Sequence, residues 1–154
     1  MSLKNYKDFA EDDYQLFKFA YHSDQISNML GAISQGICEK YMKHIIAEYY
    51  SPNSISEQND KDSILRTHSL NKLIKFLRNN ELMEFSREAR AEMIYIDGFY
   101  FSTRYPGEDS IEIDKDDLEH CNLAIEYCRN EVLEREVELI NAIPELDYED
   151  DFER

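Results

Sequence analysis

Between Ile26 and Tyr49 the apolar residues Ile26, Met29, Leu30, Ile33, Ile37, Tyr41, Ile45 and Tyr49 recur at steps of three and four. That period places them along one face of a long helix. Ser51-Pro52-Asn53 comes directly after and ends it, because the residue before a proline is driven out of the helical region. A helix of this length needs partners of similar length to cover it.

The rest of the chain supplies them. Residues Asn5 to Tyr21 carry a helical but ragged apolar pattern, with His22-Ser23-Asp24 as capping residues for the next helix. The polar stretch from Ser51 to Asp62 reads as a loop. Thr67 is a candidate N-cap for a helix carrying Leu70, Leu73, Ile74 and Leu77, ended by Asn79-Asn80. A fourth helix is expected from about Met83 to Arg104, with Phe85, Ala89, Met93, Ile96 and Tyr100 on a stripe widened by Ile94 and Phe101. Gly98 within it suggests a close helix contact. The fifth begins near Asp114 to Asp117, where carboxylates suit a helix N-terminus, and runs on to Leu139 or Ile140.

With only four glycines and three prolines in 154 residues, the turns of an all-β fold cannot be built. The expected fold class is therefore all-α, an up-and-down bundle of about five helices. One domain is expected over residues 1–144, followed by an acidic, disordered tail at 145–154.

Composition narrows the function classes. No long uncharged apolar run offers a membrane span, and Met1 to Asp8 lack the basic-then-apolar order of a secretory signal. A cytoplasmic protein is the expectation. Cys38, Cys121 and Cys128 sit among apolar neighbours without Cys-x-x-Cys spacing, which favours buried free thiols over a metal site. No cofactor is expected.

The formal net charge is −16, spread unevenly. Residues 51–106 balance eight acids with eight bases, whereas 107–144 hold twelve acids against three bases. The chain as a whole repels polyanions, so nucleotide or RNA is a ligand class that charge disfavours. The acidic end reads either as a solubilising surface or as a docking face for a basic partner.

Three segments, Gln35 to Lys43, Thr67 to Leu70 and Arg104 to Pro106, together resemble the HEPN family, found in nucleotidyltransferase-associated proteins and ribonuclease toxins. Gln35-Gly36-Ile37-Cys38-Glu39-Lys40-Tyr41-Met42-Lys43 resembles the family's second-helix signature. Thr67-His68-Ser69-Leu70 is similar to the Thr-His-Asp-Leu that opens its third helix, with Ser69 in place of the aspartate. Arg104-Tyr105-Pro106 is similar to the Arg-Tyr-Pro that closes its fourth. The segments stand in family order, and the resemblance covers about residues 24 to 135.

The resemblance implies a helical bundle that forms homodimers. It also implies one of three roles: a metal-independent ribonuclease, a partner of a small nucleotidyltransferase as in toxin–antitoxin pairs, or a nucleotide- or protein-binding module. The family's nucleases carry an arginine, four to six residues, then a histidine. Here no arginine stands at that distance before His22, His44, His68 or His120. The expectation is thus a binding module, with a degenerate ribonuclease as the alternative.

Candidate ligand-binding residues are Arg104, His68, Lys43 and Tyr105. His68 and Arg104 double as the catalytic candidates, since such a pair can position a phosphate and move a hydroxyl proton. The competing structural readings are a His68 that supports its helix start, an Arg104 that offsets the helix dipole, and a Tyr105 that shapes the turn. Glu39 and Lys43, four apart, read as a solvated pair or as part of a polar groove. A homodimer hiding the apolar faces of the second and fourth helices completes the reading.

Overall fold

The structure is a computed structural model in which residues 4–103, 106–107 and 110–143 are described. Their regular structure is entirely helical: α1 (Tyr6–His22), α2 (Asn28–Tyr49), α3 (Ile55–Ile64), α4 (Leu70–Asn79), α5 (Arg87–Ile96), α6 (Phe99–Ser102) and α7 (Lys115–Asn141). Among the described residues no helix is long and apolar enough to cross a membrane.

The strongest sequence pattern becomes the centre of the molecule. Helix α2 packs against α1, α4, α5, α6 and α7. Fourteen of its 22 residues are buried, so it is covered on nearly every side rather than along one stripe. Ile37, Tyr41, Met42, Ile45 and Ile46 are fully buried, as are Phe17 of α1, Leu73 and Leu77 of α4, Met93 and Ile96 of α5, and Ile125 of α7. Most of the apolar face of α2 is thus covered within one chain, while Ile26 and Met29 near its start stay exposed.

Three local expectations are corrected. The stretch after Ser51-Pro52-Asn53 contains a helix, α3, without a single buried residue. Low apolar content hid it, while Ser54 caps it by accepting from the Glu57 N–H at 3.1 Å, the start signal of a Ser-x-x-Glu box. Lys61 then donates to the carbonyls of Ala47 and Tyr50 and holds α3 against the end of α2. The cap of α4 is Ser69, not Thr67.

The long fourth helix is broken. Asp97 is extended and Gly98 takes φ 98°, which separates α5 from α6. A Cβ on Gly98 would meet nothing within 4 Å, so this glycine serves backbone conformation, not close packing. Ile94 of α5 and Phe101 of α6, expected to widen the stripe, end 54% and 60% exposed. The close approach is at Gly31, where an added Cβ would lie 3.0 Å from Ile113 and 3.2 Å from Thr103. The expected start of the last helix holds, with Asp114 and Asp117 forming a reciprocal capping box.

Helix α1 joins α7 through a polar seam. Lys7 pairs with Glu136 at 2.7 Å, Arg129 with Glu11 at 3.0 Å, and Lys18 with Glu126 at 3.1 Å, while the Tyr14 hydroxyl donates to Glu126. Glu136, only 10% exposed, also accepts from Tyr49 at 2.9 Å and faces His44 Nε2. Burial pushes its carboxyl pKa upward, but the bonds from Lys7, His44 and Tyr49 outweigh that and hold it at about 2.

Gly98→Ala should cost roughly 1–3 kcal/mol in urea unfolding despite the open space around it, because a positive φ strains any Cβ. The Glu136 carboxylate has a folded pKa below its unfolded one, so its contribution is complete above about pH 4.5 and is lost as pH falls toward 2. Glu136→Gln should lower stability at pH 7 by about 2–3 kcal/mol and flatten the acid limb of stability against pH.

Candidate functional site

Along α2 the polar side chains of Gln35, Glu39 and Lys43 repeat every four residues and are all buried. Polar groups taken out of water need partners; Gln35 and Glu39 find them at the turn before α4 and at α6, and Lys43 finds Glu39. The Gln35 side-chain amide donates to the His68 carbonyl, and its oxygen accepts from the Tyr100 N–H at 2.7 Å. One side chain thus ties the turn before α4 to the start of α6.

Glu39 is the hub for the other two. Its carboxylate lies 3.4 Å from Lys43 Nζ, with both side chains under one-tenth exposed. It also lies 3.3 Å from His68 Nδ1 through either oxygen. The solvated-face reading of Glu39 and Lys43 is therefore corrected: the pair is enclosed. His68 stacks on Tyr100, centroids 4.4 Å apart and rings 9° from parallel, and meets the edge of Phe101 at 5.8 Å. Its side chain is still 42% exposed.

Asp97, placed by the α5–α6 break, accepts from the Leu70 N–H at 2.9 Å and the Asn71 N–H at 3.1 Å. Ser69 takes the Lys72 N–H. The positive end of α4 therefore already holds an internal anion, and its N–H groups are not offered to a ligand. These elements enclose a groove of about 440 Å³ lined by Gln35, Thr67, His68, Ser69, Asp97, Gly98 and Phe101.

Of the four candidates named from sequence, His68 and Lys43 are brought together through Glu39. Arg104 and Tyr105 lie outside the described residues, as does the acidic segment 145–154. Gln35, Asp97 and Tyr100 were missed as site residues. For Gln35 the signal was present, in the four-residue spacing of polar groups within an otherwise apolar helix. For Asp97 there was none, because its position depends on a break that sequence periodicity ran through.

Two further histidines found no partner pattern in sequence but have partners in space. His44 is buried against Glu136, 92 positions away, and His120 lies 2.6 Å from Glu92 and stacks on Tyr95. The three cysteines are buried free thiols, and burial pushes the Cys121 pKa up to about 12, which makes it inert near neutral pH.

The Gln35 bridge is testable alone. Gln35→Ala should leave the His68 carbonyl and the Tyr100 N–H without their side-chain partner, at a cost of about 1–3 kcal/mol. Amide hydrogen exchange at residues 98–102 should rise more than in α7.

The all-helical bundle matches the fold that the sequence resemblance implies. No curated protein and no solved structure matches the chain. The family model of the HEPN domain matches residues 5–137, nearly the whole of the described chain, and the protein belongs to the HEPN domain family.

Proposed function

We propose that this HEPN domain is a nucleotide- or protein-binding module rather than a nuclease, with the His68 groove as its recognition surface. The observation that carries the reading is how the groove's polar groups are engaged. Gln35 is bonded at both ends, Asp97 at both oxygens, and Glu39 faces Lys43 and His68. What the groove offers outward is the 60% exposed ring of Phe101 and the open edge of His68.

Such a surface suits an apolar or aromatic side chain better than a phosphate. A protein occupant is favoured over a nucleotide because the chain carries −16 and because Asp97 already fills the anion position at the start of α4. The family resemblance supplies the partner class, a nucleotidyltransferase-like protein in a toxin–antitoxin-like pair. A homodimer belongs to the same reading. The exposed Phe9, Leu16 and Phe19 of α1 are among the apolar residues that could form its surface.

One observation favours the alternative, a metal-independent ribonuclease. A carboxylate against Nδ1 orients an imidazole so that Nε2 can act as a base, and Glu39 stands in that place toward His68.

The deciding test is RNA cleavage in the presence of a chelator, comparing wild type with His68→Ala. No cleavage by either is expected, and cleavage that disappears in His68→Ala would establish the nuclease. In co-expression with a nucleotidyltransferase-like protein, Phe101→Ser should weaken the complex at least tenfold. The absence of any complex, together with nucleotide binding that His68→Ala abolishes, would replace the protein occupant by a nucleotide.

A further inference from the structure

Lysines and arginines on α1, α2 and the body of α7 are engaged inside the chain, as in Lys18–Glu126, Lys43–Glu39 and Arg129–Glu11. Residues 63–80 are different. That run holds Arg66, Lys72, Lys75 and Arg78 and no acid. All four are exposed, and among the described residues none of them forms an ion pair. Helix α4 turns Leu70, Leu73, Ile74 and Leu77 into the core, which leaves Lys72, Lys75 and Arg78 as an outward ridge three residues apart. In a chain of net charge −16, this is a local inversion of sign.

The ridge borders a cleft. Between α3 and α4 lies a space of about 420 Å³ whose walls include Asp60, Ser63, Arg66, Thr67, Lys72 and Phe76. Its α3 wall is held in place by Lys61, which donates to the last carbonyls of α2. The turn carrying Arg66 and Thr67 separates this cleft from the His68 groove, and Thr67 borders both. The two sites offer different chemistry: aromatic rings in the groove, unpaired cations and hydroxyls in the cleft.

We infer that the α3–α4 cleft binds a short linear oligophosphate, with Arg66 and Lys72 neutralising its charge and the Ser63 and Thr67 hydroxyls donating to its oxygens. Arginine presents its donors in a fork matched to phosphate, and lysine adds a point charge. The compactness of the patch selects the ligand. At physiological ionic strength charges are screened beyond about 8 Å, so a compact anion experiences the cations of the cleft. A longer nucleic-acid strand would also pass α3, whose Glu57, Asp60 and Asp62 oppose it. Asp60 is the one acid on the lining and opposes the ligand. Oligophosphate binding here is independent of the occupant of the His68 groove.

Binding is measured by calorimetric titration of the whole protein at low salt with sodium tripolyphosphate, with ATP and with a short single-stranded RNA. Tripolyphosphate should bind, Arg66→Ala and Lys72→Glu should each weaken it about tenfold, and Asp60→Asn should tighten it. Lys115→Glu, an equal charge change on α7, should leave affinity within twofold. These side chains are exposed and outside any ion pair, so the variants keep the fold, which circular dichroism verifies. ATP binding like tripolyphosphate would mark the phosphate chain as the recognised part, and markedly tighter ATP binding would mark a nucleoside triphosphate as the source. No binding of either up to millimolar concentration overturns the inference. So does equal loss in Lys115→Glu, or binding of RNA alone.

Discussion

Burying α2 on nearly every side is the constraint on which the other features depend. A helix that central cannot discharge its polar residues into water, so Gln35, Glu39, Lys43 and His44 each require a partner. The partners are distributed: the turn at His68 and the start of α6 serve Gln35, His68 faces Glu39, Lys43 pairs with Glu39 within the helix, and Glu136 of α7 serves His44. The bonds that leave α2 each fix the position of one neighbouring element against it. The groove at His68 is therefore a by-product of satisfying a buried helix, and its rigidity comes from the same bonds.

The acidity of the C-terminal half has a second role in holding the bundle together. Glu126 and Glu136 of α7 hold α1 through Lys18 and Lys7. Glu131 accepts from both the backbone N–H and the hydroxyl of Ser86 at 2.7 Å, at the start of α5. A part of the charge that reads as surface in the sequence thus joins helices. Asp114, Asp116 and Asp117, where α7 begins, support the helix start through the cap and the dipole. A positive counterpart gathers on α4, where Lys72, Lys75 and Arg78 are exposed and residues 63–80 hold no acid.

The elements with strong apolar period were legible. α1, α2, α4 and α7 lie close to where their spacing put them, because three- and four-residue steps over several turns admit one interpretation. The failures were of two kinds. α3 buries nothing and so leaves no period to read. The α5–α6 break at Asp97 and Gly98 interrupts a stripe that looked continuous, since a positive φ at one glycine does not alter residue spacing. At the site, His68 and Lys43 were named from the family resemblance, while Asp97 stayed hidden because its role exists only once the break turns it toward Leu70 and Asn71.

By itself the sequence determined the helical class, the long second helix, the charge asymmetry and the family, since each depends on local spacing or on counts along the chain. The tertiary structure decided which polar residues meet. Glu39 with His68, His44 with Glu136, and Gln35 with Tyr100 are pairs separated by 29 to 92 positions. No periodicity carries information over such separations. Only the packing of α2 among its neighbours brings those groups within bonding distance, because burial leaves them no water to bond instead.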